Sequence, residues 1–348
     1  MTDPAMFQLP SKTRIDKAGE ALKASEQDPA ELQILSSWRA AHAYALNTFQ
    51  ALFRSKIKTL KNSKEIVVAQ RLKRLPSIVS KLKRFPTMNL SQMQDIGGIR
   101  IIVKKPEDVT RIYKLIQESD FRHKMLLPPK DYIAHPKTDG YRSLHQYFLY
   151  ANKKHPELDG LRIELQIRTR LQHSWATAVE TLGVLEHQAI KSGEGSDGYK
   201  QFFRVASALF SMEENMPVLS ALEDHSREEL VQEIRSLDKE LAITPKLKGV
   251  AIATKHVDTP AKESYCFVMV LDSLNSRVSL TPFTENQLRE AEDFYLSQED
   301  KNRSNQYCSV VLISAGSLVQ IRKAYPNYFL DTDLFLRSLS KCLDEKQG

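Results

Sequence analysis

Cysteine is scarce in this chain of 348 residues, limited to Cys266, Cys308 and Cys342, which lie far apart. That spacing excludes a disulfide framework and a tetrahedral zinc site built on Cys-x-x-Cys pairs, and leaves three candidate small core residues. Long hydrophobic runs are missing too. The longest, Tyr265 to Leu271, falls far short of the roughly 20 residues a membrane helix needs, and the N-terminal stretch has no apolar signal core. The expectation is a cytoplasmic protein with no membrane partner, of two domains rather than one.

Acidic residues are what the first part of the chain lacks. Residues 1–204 hold 34 Lys and Arg against 21 Asp and Glu, a net +13, whereas 205–245 carry –6 and 246–348 are neutral. Between Arg54 and Arg84 there are eleven basic residues and one acid, Glu65. Such a field attracts a polyanion, and a basic belt some thirty residues long can neutralise several phosphates of a nucleic-acid backbone. Lys56, Lys58, Lys61, Lys83 and Arg84 are its candidate contacts. The charge steps suggest three segments: 1–204, an acidic helical linker over 205–245, and a C-terminal domain over 246–348.

Periodicity supplies the elements. After a start expected to be mobile, Leu35, Trp38, Ala41, Ala45, Phe49 and Phe53 recur at helical spacing, giving one or two helices over Ala30–Leu60. Ile66–Leu72 reads as a strand, Pro76 opens a helix to about Arg84, and Asp95–Val103 reads as a buried strand behind two glycines. A helix follows over Glu107–Glu118, then one loop, KDYIAHPKTDGYRSLHQ, over 130–146. Leu161–Thr169 alternates strictly, so Ile163, Leu165 and Ile167 face the core, and Arg162, Glu164, Gln166 and Arg168 are expected outside it. A helix from Arg170 to about Gln188, a loop at 193–198 and a small α+β domain after Pro245 complete an α+β chain.

Chemistry concentrates on a few of these positions. Arg71 and Lys73 near one strand, with Ser77 and Lys81 four apart on the next helix, could clamp a chain of phosphates, Arg71 also stacking on a base. Asp95 and Glu164 would be two carboxylates facing one cleft, one holding Mg2+ and the other taking a proton from an attacking hydroxyl. The loop adds Lys130, Lys137 and His145 as donors to phosphate or sugar oxygens and Tyr141 as a flat face for a base, with Gln166 on the Glu164 side of its strand. Together they describe a donor nucleotide opposite an acceptor nucleotide.

Four stretches, RLKRLPSIVSKLK (71–83), DIGGIRIIV (95–103), KDYIAHPKTDGYRSLH (130–145) and IELQIRTRLQHSWA (163–176), resemble in order the synthetase domain of the RelA/SpoT family of alarmone synthetases, over roughly residues 35–205. The resemblance implies a mixed-sheet, nucleotidyltransferase-like domain with flanking helices. It implies ATP bound by Arg71, Lys73, Ser77 and Lys81, Mg2+ on Asp95, Glu164 as second acidic residue, and Tyr141 stacked on the acceptor base. The implied reaction moves pyrophosphate from ATP to a ribose 3′-hydroxyl. Asp139 stands where the family usually has Asn, and no His-Asp pair occurs, so the hydrolase half of the long family members has no counterpart here.

RLQHSWATAVETLG (170–183) and AYPNYFLDT (324–332) further resemble the fused toxin-antitoxin branch called CapRel. That likeness implies pyrophosphorylation of the 3′ CCA end of tRNA, a C-terminal domain like a zinc finger without its ligands, and a Tyr-x-x-Tyr, here Tyr325 and Tyr328, that blocks the ATP site until a phage capsid protein binds. The alternatives are a small alarmone synthetase acting on GDP or GTP and a catalytically inactive RNA-binding regulator.

Overall fold

The N-terminal stretch, expected to be mobile, carries a helix in the computed structural model, which describes residues 9–25, 28–73, 75–185, 197–248, 266–272, 277–302, 308–314 and 328–344. Helix α1 spans Lys12–Ala24, with the Ser11 hydroxyl accepting from the Arg14 N–H at its start and Ile15, Ala18, Gly19 and Leu22 buried. A helix this short is marginal alone and takes its stability from packing, here on α2. Helix α2 is one unbroken element, Pro29–Ile57, capped by the Asp28 carboxylate with proline in its first turn.

Five strands follow with two helices among them: β1 (Val67–Leu72), α3 (Leu75–Arg84), β2 (Gly97–Val103), α4 (Pro106–Gln117), β3 (Lys124–Asp131), β4 (Leu144–Leu149) and β5 (Arg162–Thr169). They form one sheet in the order β1-β2-β5-β4-β3, with β2 and β5 parallel and the other pairs antiparallel. The segment 130–146 is thus not one loop: Lys130 and Asp131 pair across the ladder with His145 and Leu144.

Alternation in the strands gives the sheet two unlike faces. Ile99, Ile101, Ile163, Leu165, Ile167 and Phe148 are fully buried, and helices α2 and α4 pack on β2 and β5. Phe148 stacks obliquely on Phe49 and Phe53 of α2, at 5.2 and 5.9 Å between ring centres. The other face carries the polar side of β5, and here the expectation that it stays out of the interior is corrected. Glu164 is only 7% exposed and Arg168 2%. Burial of such groups is tolerated where hydrogen bonds and opposite charges replace water, as they do around Glu164.

Edge strand β1 is tied to α2 by side chains. Gln50 and Arg54 donate to the Val68 carbonyl at 3.4 and 3.2 Å, and Arg39 donates to the Lys73 carbonyl at 2.7 Å just past the strand.

By its internal contacts the chain divides into two units, Met1–Tyr132 with Ser143–Thr169, and Ile133–Arg142 with Arg170–Gly348. The second contains α5 (Arg170–Leu185), α6 (Asp197–Glu213), which runs through position 204, and α7 (Arg227–Leu241) with its Ser226–Glu229 capping box. Strands β6 (Cys266–Asp272), β7 (Arg277–Phe283) and β8 (Cys308–Ser314) make an antiparallel sheet in the order β7-β6-β8, with α8 (Leu288–Asn302) on it through Ala291 and Phe294. Helix α9 (Tyr328–Asp344) packs on α5 and α6, where Phe335 meets Phe203 and Phe210 at 5.9 and 5.5 Å. Cys342, on α9, is buried, as expected of a small core residue. No described helix is long and apolar enough to cross a membrane.

Gly97 marks the tightest approach of α2 to the sheet. A Cβ there would lie 2.9 Å from Ile163 Cδ1 and 3.3 Å from His42 and Leu46, whereas one at Gly98 would meet only backbone oxygens at 3.8 Å. Gly97→Ala should therefore cost about 1–3 kcal/mol, and Gly98→Ala much less. Urea unfolding of the two variants checks this; equal midpoints would show that the close approach imposes no constraint.

Candidate active site

The register of the sheet sets out a grid of polar side chains on the face opposite α2. In one row, Arg71 of β1, Gly98 of β2, Glu164 of β5 and Tyr147 of β4 are successive partners. In the next, Arg100, Gln166, His145 and Lys130 are successive partners. Residues two apart on a strand share a face, so both rows point the same way. Between Arg71 and Glu164 the face is bare at Gly98, where a Cβ would fit in ordinary contact with the Arg71 and Glu164 carbonyl oxygens at 3.8 Å.

Glu164 is the most heavily engaged member. His145 Nδ1 lies 2.9 Å from Oε1 and Gln166 Nε2 donates to Oε2 at 2.7 Å, while Tyr147 stands opposite Glu164 across the β4–β5 ladder. Burial pushes the carboxyl up, but the charge and hydrogen bond of His145, the Gln166 amide and the charge of Lys81 outweigh it and bring the group down to about 2. Burial and the Glu164 charge together raise both the Tyr147 and the Tyr132 hydroxyls above the usual phenol value, so each stays a protonated donor. The Tyr132 ring stands edge-on to His145 at 5.2 Å.

Asp95 sits in the turn before β2, its side chain 20% exposed, and accepts from Lys73 Nζ at 2.9 Å and Lys81 Nζ at 2.7 Å. Lys73 is held by its own backbone, whose N–H donates to the Ile96 carbonyl at 2.8 Å. Lys81 reaches the same carboxylate from α3, one turn beyond Ser77, which lies in the first turn of that helix. Burial raises the Asp95 carboxyl, yet the two lysines hold it below the usual carboxylate range, and the Glu164 charge acts on it as well. The two acids are thus within electrostatic reach of each other.

The other expected residues fall into three groups. Lys130 closes β3 with its Nζ 5.4 Å from the centre of the Tyr147 ring, so it belongs to the grid. Lys137 and Tyr141 lie in the segment 133–142, in the second unit. There the Lys137 Nζ sits 5.0 Å over the Tyr141 ring, and Tyr141, 7% exposed, meets the edge of Trp175 at 6.4 Å. That segment is pinned to α6 by the Ser207 hydroxyl, which donates to the Gly140 carbonyl at 2.6 Å, and Arg142 Nε donates to Ser207 at 3.1 Å. Asp139 turns inward to accept from the Tyr141 N–H at 2.9 Å, and Gly140 supplies the left-handed φ of +88°.

Of the basic belt, Lys56, Lys58 and Lys61 cluster around the end of α2, before β1 begins, and Lys83 and Arg84 in the last turn of α3. Tyr325 and the side chain of Tyr328 lie outside the described residues. Three residues at the site were missed in the sequence: Tyr147 and Arg100 of the grid, and Tyr132 beside His145. The signal for two was present, since Tyr147 has the same strand parity as His145, and Arg100 the same as Gly98.

Among the described residues no group of three or more His, Cys, Asp or Glu could hold a metal. Mg2+ asks for less than that: one or two carboxylates, with phosphates and water completing its shell. Asp95, partly exposed and held ionised, fits such a role, with Glu164 nearby.

Residues 70–188 match the family model described as a region found in RelA / SpoT proteins. Two Bacillus subtilis (strain 168) proteins, GTP pyrophosphokinase YjbM and GTP pyrophosphokinase YwaC, are each 34% identical to this chain, over 119 and 113 residues; the matches cover 33% and 31% of this chain and 54% and 52% of theirs. The chain thus spans about half the length of these relatives. Small alarmone synthetase 1 of Bacillus subtilis, solved bound to its product pppGpp, aligns at 25% identity over 53% of this chain and 94% of its own, with a TM-score of 0.46. Every member of the grid lies within the residues that match this family model.

Because Asp95 and Glu164 titrate lower in the folded protein than their unfolded values of about 4, each stabilises the fold above those values. That contribution is lost as pH falls through the folded ones. The melting temperature should therefore drop between about pH 5 and about pH 2, and drop less in Glu164→Gln. Equal slopes for the two proteins would show that Glu164 is not held low.

Proposed function

We propose that this protein transfers the β,γ-diphosphate of ATP to the 3′-hydroxyl of a nucleotide acceptor, that the acceptor is the CCA end of tRNA, and that the chain is a translation-blocking toxin held in check by its own C-terminal segment in antiphage defence. The observation that supports the transferase reading is two carboxylates that act on each other's charge, Asp95 held by Lys73 and Lys81 and Glu164 by His145 and Gln166.

The acceptor oxygen attacks the β-phosphorus, the bond from that phosphorus to the oxygen it shares with the α-phosphate breaks, and AMP leaves. Lys73 and Lys81 exchange the Asp95 carboxylate for phosphate oxygens and absorb charge developing on the leaving group. Mg2+ bound at Asp95 would neutralise the phosphates and polarise the β-phosphorus. Glu164, kept ionised, accepts the hydrogen bond of the 3′-hydroxyl and takes its proton. A carboxylate held near 2 is a weak base, which suits a loose transition state, where the hydroxyl gives up its proton late and needs orienting more than deprotonating. Arg71, a planar cation on the same face, suits stacking on the donor base.

For the acceptor, the basic residues at the ends of α2 and α3 favour a polyanion larger than a diphosphate. The names of the similar proteins favour a guanosine nucleotide instead. Radiolabelled ATP incubated with the protein and either tRNA or GDP separates the two, and label appearing only on guanosine nucleotides rejects the tRNA reading. Asp95→Asn and Glu164→Gln should each lower transfer at least about 100-fold with folding intact, whereas an RNA-binding regulator without catalysis would keep its toxicity in both variants.

The restraint is tested by growth. Tyr328→Ala should make expression toxic without any trigger such as a phage capsid protein; growth matching the parent would show that this tyrosine is not the brake.

A further inference from the structure

Two residues along the strands from the row of Arg71 and Glu164 lies a further row that faces the same way. Leu72, Gly97 and Ile163 are successive partners, and continuing that register by one residue brings Lys73 and Arg162 to either side of Ile96. The Lys73 N–H donates to the Ile96 carbonyl at 2.8 Å, as the register requires. Arg162 pairs with Leu149 of β4, and Leu149 with Lys124 of β3. Arg162 stands two residues before Glu164 and so shares its face. The row thus holds three cations, Lys73, Arg162 and Lys124, each two strand spacings, about 10 Å, from the next.

Their charges are engaged differently. Lys73 is held at Asp95. Arg162 is partly buried and Lys124 exposed, and among the described residues neither side chain has a hydrogen-bond or ion-pair partner. Elsewhere in this unit Arg14 meets Glu31, Arg111 meets Asp108, and Arg39 and Arg54 donate to backbone carbonyls. A partly buried guanidinium gives up some of its hydration, and where no protein acceptor replaces that water an external anion does so best. Lys124 lies on β3, an outermost strand, so the row runs from the rim of the sheet inward, past Glu164, to Lys73 and Asp95.

We propose that Lys124 and Arg162 bind backbone phosphates of a single-stranded RNA 3′ end, which enters over the β3 edge and delivers its terminal ribose to Glu164. This deepens the RNA-acceptor reading above and rests on it. A folded RNA is too bulky to lie on a face lined by partly buried side chains, whereas a single strand can follow a row of cations across it. The row supplies sequence-independent attraction and direction, and the carboxylate at its side receives the hydroxyl at the end of the strand.

The test is binding to the full chain carrying Tyr328→Ala, read by the anisotropy of a labelled tRNA acceptor-stem minihelix ending in CCA, as the salt concentration is raised. Arg162→Met and Lys124→Met should each weaken binding about fivefold near about 0.1 M salt and flatten the slope of log Kd against log salt by about 0.7, the share of one phosphate on a single strand. Arg162→Lys, which keeps the charge, should retain the parental slope. Lys114→Met removes a cation from α4, on the opposite face, and should leave affinity and slope unchanged. In transfer assays the KM for ATP should stay within about twofold in both Met variants.

A parental slope in either Arg162→Met or Lys124→Met overturns the proposal. So does an equal loss in Lys114→Met, which marks a general field and not a path. A rise in the KM for ATP or GDP as large as the loss of RNA affinity also overturns it, because Arg162 then serves nucleotide phosphates. A minihelix that neither binds the Tyr328→Ala chain nor takes label from ATP overturns the RNA-acceptor reading; binding and transfer that ignore Arg162 and Lys124 overturn this proposal alone.

Discussion

A buried anion governs this structure. Glu164 lies in the middle of a sheet face, almost out of reach of water, and stays charged because His145 and Gln166, with the charge of Lys81, take the place of solvent. Uncompensated, such a charge would cost several kcal/mol. The strand register follows from this requirement as much as from the apolar face behind it, since slipping β4 by one residue would turn His145 and Tyr147 away from the carboxylate. Asp95 is a milder case: partly exposed, it shares two lysines, and those are groups a polyphosphate can recruit without leaving a bare charge inside the protein.

The two faces of the sheet separate stability from chemistry. Aromatic packing of Phe148 on Phe49 and Phe53, and the close fit at Gly97, hold α2 on one side. The polar grid on the other side is therefore carried on strands whose spacing is fixed from behind. Gly98 shows the division within a dipeptide: its neighbour is a packing constraint, while it leaves the face bare between Arg71 and Glu164.

Much of this was legible in the sequence, for stated reasons. Period-two alternation placed Glu164 and Gln166 together, and the four-residue step placed Ser77 and Lys81 on one side of α3. Strand β3 escaped because Pro128 and Pro129 argue against a strand; it exists as an edge with a register shift between Leu126 and Lys130, where proline is tolerated. Helix α1 escaped because its apolar spacing is short and its stability comes from neighbours that no local pattern announces. Burial of the polar side of β5 was missed because alternation says which residues share a face but not what covers it. Tyr147 carries no formal charge, so nothing in the charge pattern distinguishes it from a core aromatic two positions beyond His145.

The ties from α2 to β1 bear on solubility. An outermost strand offers unsatisfied carbonyls that a foreign strand can extend, and β1 is outermost on its side. Gln50 and Arg54 occupy the Val68 carbonyl, and Arg39 that of Lys73. The side chains of α2 that fasten β1 thereby also blunt the ribbon against self-templated growth, so a chain that lost Arg39 and Arg54 would be exposed to aggregation.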